Sequence, residues 1–137
     1  MKFQLVKTLA KELSIHSSNS TQLVVNTGLI IDSFKVSVRS SEVKESQGFA
    51  VCFQIKLTAS LDVNLVISCE YWAFFEGEEP LSKEFLEGSF ASINAPAIAY
   101  PYLRSFITNT LVGAGYPALY LPTVNFVELN ENNSKNK

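Results

Sequence analysis

From Phe49 to Leu61 the large apolar side chains fall at Phe49, Val51, Phe53, Ile55, Leu57 and Leu61, with Ala50, Cys52, Gln54, Lys56, Thr58 and Ser60 between them. A period of two sends alternate residues to opposite faces of a strand, so one face is buried and the other wetter. Leu65–Phe75 repeats the pattern, with Leu65, Ile67, Cys69, Tyr71, Ala73 and Phe75 on one face. A tight connection at Asp62–Asn64 joins the two strands as a hairpin. Met1–His16 reads as a long first strand. One face carries Phe3, Leu5, Leu9, Leu13 and Ile15; the other carries Gln4, Thr8, Glu12, Ser14 and His16. Lys7 and Lys11 interrupt the apolar face, which predicts an edge position or a local bulge. Ser33–Val38 alternates with Phe34, Val36 and Val38 on one side. Leu23–Asp32 is apolar but contains Asn26 and Gly28, and reads as a short irregular strand or an extended arm. Ser17–Thr21 is a polar turn cluster and Ser40–Gly48 a charged loop.

After Gly77–Pro80 the period changes. Ser82 is a helix-cap candidate ahead of Phe85, Leu86 and Phe90. Asn94 and Pro96 interrupt this segment. A second helix runs from about Pro96 to Val112, with Pro101 starting or kinking it. Leu103, Phe106, Ile107, Thr110 and Leu111 share one face, and Gly113 and Gly115 stop the helix. Tyr116–Pro122 is a loop, and Asn125–Leu129 a very short helix or strand. Strands followed by helices predict an α+β fold: an antiparallel sheet with helices packed on one face. The chain reads as a single domain over 1–129, with 130–137 a disordered polar tail.

Composition sharpens this picture. Of 137 residues, 47% are apolar and only 18% charged, and ten are phenylalanine. So little charge predicts apolar surface covered by a partner subunit or kept open for a ligand. The net charge is −2 and there is no basic stretch, which argues against nucleic acid. The N-terminus lacks a basic region followed by a long apolar segment, and no apolar run reaches spanning length, which places the chain in the cytoplasm.

Little points to chemistry. His16 is the single histidine, so a histidine metal cluster is excluded. Cys52 and Cys69 lack Cys-x-x-Cys spacing and fit as small buried hydrophobes. Neither Gly77 nor Gly88 is followed by the lysine a phosphate loop requires. Glu76, Glu78 and Glu79 are the one group of carboxylates dense enough for acid–base work, but at a strand-to-helix junction a solvated turn or a helix-start charge preference is the better explanation. No cofactor or metal is implied. Trp72 and Phe74, by contrast, fall on the strand face opposite Tyr71 and Phe75. Both faces cannot be core unless helices or another subunit cover the second, which predicts an apolar groove or interface.

One ordered set of residues is specific. Tyr100-Pro101-Tyr102, Arg104, Ile107-Thr108, Gly115-Tyr116-Pro117, Leu119, Leu121-Pro122 and Val124-Asn125-Phe126 resemble the SecB protein-export chaperone family. Phe3-Gln4-Leu5 and Cys69-Glu70 are similar to it as well. The resemblance implies a four-stranded antiparallel sheet with helices on one side. It also implies a homo-oligomer, either a tetramer built as a dimer of dimers or a dimer. Such proteins hold unfolded precursor polypeptides competent for export through the Sec pathway, without ATP, and pass them to the SecA motor. On that basis Trp72, Phe74, Phe75, Phe85 and Phe90 are candidates for the client groove, and Glu12 and Glu70 for motor contact. Tyr100, Tyr102, Arg104 and Asn125 are structural or interface candidates. His16 stands where the best-studied branch is usually acidic, and Ser68 where it carries an apolar contact. The tail is shorter than in many export members. Divergent members protect the antitoxin of a toxin–antitoxin pair, so a dedicated chaperone for one partner is the alternative. A small enzyme using Glu76, Glu78 or Glu79 is the third reading.

Overall fold

The alternating segments form one antiparallel sheet. A computed structural model describes residues 3–17, 28–40, 47–60, 64–78 and 80–135. Strands β1 (Phe3–Ser17), β2 (Gly28–Ser40), β3 (Gly48–Ser60) and β4 (Asn64–Gly77) lie in the order β1-β4-β3-β2. The β2–β3 and β3–β4 pairs are sequential, while β1 returns to pair with β4, so β1 and β2 are the two edges. The connections at 18–27, 41–46 and 61–63 lie outside the described residues. They include the polar cluster after Ser17, the first half of the apolar Leu23–Asp32 segment and the hairpin turn.

The central strands follow their sequence pattern. Phe49, Val51, Phe53, Ile55 and Leu57 of β3 and Leu65, Ile67, Cys69, Tyr71, Ala73 and Phe75 of β4 are all buried on one face. The helices lie on that face: α1 (Lys83–Glu87), a π-helical turn (Phe90–Asn94), α2 (Ala95–Gly113) and α3 (Phe126–Lys135). Among the described residues no element packs on the other face. Tyr100 of α2 meets Phe34 and Phe53, Phe106 stacks on Tyr71 at 5.2 Å, and Phe126 of α3 reaches Phe53.

The edge strands depart from simple alternation. In β1 the pairing with β4 slips between Leu5 and Lys7 and again between Ala10 and Glu12. Each slip adds one residue and inverts the phase. The lysines therefore do mark a bulged edge, but Leu9 does not stay with Leu5. It lies opposite Trp72 on the open face, 38% exposed, while Ala10 packs toward the core. Thr8 changes sides with it. In β2 a slip at Asp32 keeps both Ile31 and Phe34 against the core, so the strand is continuous from Gly28.

The helical half differs in its boundaries. Ser82 caps α1 by accepting from the Phe85 amide at 3.0 Å. The helix α2 begins at Ala95 and runs through Pro101 instead of starting there. Pro96 sits in the first turn, where its missing N–H is no loss. The stop is Gly115, with φ +95°: its amide bonds the Val112 carbonyl and the Tyr116 amide bonds the Leu111 carbonyl. That left-handed turn satisfies two helix-end carbonyls and is cheap only for glycine. Finally, α3 continues to Lys135, through most of the segment read as a polar tail. Asn125 starts it by accepting from the Glu128 amide at 3.1 Å, and Glu128 favours the positive end of the helix dipole.

Candidate functional site

Three surfaces are built from the residues singled out above. The first is a rail along α2. Tyr100, Arg104 and Thr108 recur every four residues and so share one face of the helix. Each donates to a backbone carbonyl of the loop before α3: Tyr100 Oη to Pro122 at 2.5 Å, Arg104 Nε to Leu121 at 3.0 Å and Thr108 Oγ1 to Leu119 at 2.6 Å. Loop carbonyls that a strand or helix would have satisfied are satisfied here by side chains. Leu119 and Leu121 are thereby held in the core, 8% and 1% exposed. Tyr100, Arg104 and Asn125 thus all position α3. Tyr102 points away from the rail and is 51% exposed, with Ile98 and Val112 on the same outer side of α2.

The rail creates the second surface. With α3 fixed, Phe126, Leu129 and Asn130 and Val36 and Val38 of edge strand β2 line a cleft of about 380 Å³, together with Ser37 and Ser92. The floor is apolar, and the outer edge of β2 pairs with no described strand. The sequence reading missed this cleft. The available signals were the core-facing Val36 and Val38 of an edge strand and the i, i+3 spacing of Phe126 and Leu129.

The third surface is the open face of the sheet. Glu12 and Glu70, the motor-contact candidates, are register partners there. Gln54 Nε2 and Trp72 Nε1 donate to the two Glu70 oxygens at 3.0 and 2.9 Å. Those two hydrogen bonds, Gln54 first, hold the Glu70 carboxyl below its usual range. Trp72 and Phe74 stack at 6.0 Å on the same face.

The five groove candidates are therefore not brought together. Trp72 and Phe74 lie on the open face. Phe75 is a core residue, 2% exposed and stacked on Phe49 at 5.2 Å. Phe85 and Phe90 are half-buried on the helical side, where both pack against Phe3. Phe3 in turn sits over Gly77, where a Cβ would come within 2.5 Å of its ring. Alternation along β4 made this split unavoidable, because Phe74 and Phe75 must face opposite ways.

The candidate acids do not converge. Glu76 and Glu78 are both exposed, and Glu79 lies outside the described residues. Among the described residues no three acidic, histidine or cysteine side chains form a metal-binding group. No helix among them is long and apolar enough to cross a membrane. Both cysteines are free and buried on opposite faces of the sheet. Burial pushes the Cys69 thiol up to about 12, helped by the nearby Glu70 charge, and raises Cys52 for the same two reasons. An unfolded thiol titrates near ~8.5, so folding disfavours the Cys69 thiolate. The stabilisation is complete below ~8.5 and is lost as pH rises toward about 12. Urea midpoints are expected to fall between pH 8.5 and 10.5, and Cys69→Ala to flatten that fall. An equally steep fall in the variant would show that Cys69 is not the group involved.

Comparison with known proteins agrees with this geometry. The family model described as preprotein translocase subunit SecB matches residues 1–137. The chain is 24% identical over 135 residues to protein-export protein SecB 1 of Polaromonas naphthalenivorans, covering 94% of this chain and 83% of that one. To the protein-export protein SecB of Burkholderia vietnamiensis it is 27% identical over 131 residues, covering 94% and 80%. Among solved structures, a SecB-like chaperone of Mycobacterium tuberculosis superposes with a TM-score of 0.68 at 16% identity, covering 89% of this chain and 90% of that one. With a family model matched along its whole length and the four-stranded sheet and one-sided helices in place, the chain belongs to the SecB family.

Proposed function

We propose that this SecB-family chaperone is an ATP-independent holdase that binds unfolded precursor polypeptides and keeps them competent for export through the Sec pathway. As a member of a non-catalytic chaperone family it is a binding protein and not an enzyme. The observation that carries the reading is the cleft between β2 and α3. An extended client can lay apolar side chains on Val36, Val38, Phe126 and Leu129. Its backbone can reach the outer edge of β2. Binding the unfolded chain and not the folded one delays folding and aggregation by mass action alone. Phe85 and Phe90, half-buried on the same side of the sheet, extend the apolar surface. In the test, a chemically unfolded client is diluted into the protein without nucleotide and light scattering is followed. Suppressed scattering is expected; undiminished aggregation at excess chaperone would sink the reading.

Ile98, Tyr102 and Val112 on the outside of α2 support a homo-oligomer in which a second copy covers this stripe. A monomer in sedimentation equilibrium would overturn that. The open face supports a contact with the SecA motor through Glu12, whose carboxylate stands beside the internally bonded Glu70. Glu12→Lys is expected to weaken motor binding by about tenfold, as for loss and reversal of one interface charge. Motor binding unchanged in the variant would remove Glu12 from that contact.

A dedicated chaperone for one partner is the second reading. The M. tuberculosis structure holds a ChAD peptide from the HigA1 antitoxin, and this chain shares its fold. Equal affinity for unrelated unfolded chains favours the general holdase; strong preference for one short segment favours the dedicated one.

A further inference from the structure

Arg104 is the only charged residue between Glu87 and Glu128. It is half-buried, and its Nε is committed to the Leu121 carbonyl at 3.0 Å. That bond, with the Tyr100 ring centroid 6.0 Å from the guanidinium carbon, orients the planar group. Its two Nη nitrogens have no hydrogen-bond partner among the described residues, and no carboxylate there lies within 4.0 Å. Arg104 lines a cavity of about 430 Å³ between α2 and the loop before α3. Ser105, Asn109 and Tyr120 line it too, and none of their side chains is hydrogen-bonded among the described residues. Leu121 and the ring of Tyr120, a residue 72% exposed, supply an apolar wall. The cavity thus gathers one cation and several unused donors, and no acidic residue lines it. A second copy packed on the outer side of α2 through the same stripe brings no acid from its own α2, because that helix and the loop after it contain none.

We infer that this cavity is a binding site for one carboxylate carried next to an apolar group. With Nε already used, the carboxylate accepts from the two Nη groups side by side. Ser105 and Asn109 can donate to its remaining lone pairs, and the apolar group lies against Leu121 and Tyr120. One cation balances one carboxylate but only half of a phosphate dianion, so charge selects the occupant. A carboxylate of this kind ends a polypeptide whose last residue is apolar, and it also occurs in small organic acids. The cavity shares no lining residue with the β2–α3 cleft, so the two can be disabled separately.

The probe is the peptide Ala-Ala-Leu with a neutral fluorophore on its amino end and a free carboxylate, followed by anisotropy. Saturable binding is expected, weaker at high salt, and absent for the same peptide ending in an amide. Pro101 lines the cavity on an exposed position three residues before Arg104. Pro101→Glu therefore supplies an internal carboxylate at a spacing that pairs on a helix, and it removes a poor helix former, so α2 is not endangered. It should weaken binding about tenfold or more, as for loss of one charge-assisted pair, whereas Pro101→Gln should keep it. Arg104→Gln, which retains a donor for the Leu121 carbonyl, should abolish saturable binding, with the urea midpoint checking the fold. Leu129→Asp in the client cleft should change nothing. Competition by N-acetyl-leucine at the concentration of unlabelled peptide would assign the site to small acids; a need for far more would assign it to polypeptide ends. Equal binding of the amide, no effect of Pro101→Glu, loss of binding in Leu129→Asp, or equal competition by inorganic phosphate would each overturn the proposal.

Discussion

Phe53→Ala is expected to destabilise the protein by ~3–5 kcal/mol, the usual cost of truncating a fully buried phenylalanine. The ring is 0% exposed and is the point where the sheet and both longer helices meet. Phe34 lies 6.0 Å away, Tyr100 6.2 Å and Phe126 6.4 Å, centroid to centroid. Removing it leaves a cavity that three neighbouring rings cannot fill without moving α3. Since whole domains are stable by only ~5–15 kcal/mol, the loss is a large fraction of the total. The urea midpoint should fall by about 2 M at a typical slope, measured at fixed protein concentration because an oligomer's stability depends on it. Phe74→Ala, on the half-exposed open face, should cost clearly less. If the two variants unfolded together, the assignment of core and open faces would be wrong.

Leu129→Asp should abolish client retention while leaving the fold in place. Leu129 is half-buried on α3 and lines the cleft with Phe126, Val36 and Val38. A bound client buries this side chain, worth ~1.5–3 kcal/mol, and the variant also forces a carboxylate against an apolar segment. Together these predict client binding weaker by about 30-fold or more, at ~1.4 kcal/mol per tenfold. Anisotropy of a labelled unfolded client gives the affinity, and light scattering gives the functional consequence. Far-UV circular dichroism and the urea midpoint should stay near wild type, because the rail of Tyr100, Arg104 and Thr108 that holds the loop is untouched. Undiminished affinity in a folded variant would move the client site away from this cleft.

The two predictions draw on different kinds of information. Phe53 is identified as core by its strand alone, since a period of two needs only the local sequence to divide β3 into two faces. Leu129 is identified only by what lines the cleft with it. Its partners Val36 and Val38 are about ninety residues earlier in the chain, and no local pattern says that α3 ends up beside that edge. The motif from Tyr100 to Asn125 occupies a middle position. Its resemblance to the family was legible, but its physical content was not: hydroxyls and a guanidinium four residues apart, satisfying the carbonyls of a loop that has no regular structure.

The sequence by itself determined the dry faces of the two central strands, the order of strands before helices and the family. Each depends on side-chain period or on residue types at fixed spacing, which survive without knowledge of contacts. Tertiary structure decided the phase of β1, the passage of α2 through Pro101, the separation of Trp72 and Phe74 from Phe75, Phe85 and Phe90 across the sheet, and the existence of the cleft. A bulge takes its position from the partner strand. A proline is tolerated where neighbouring packing holds the helix. A cleft is the space between elements that meet only once the chain has folded.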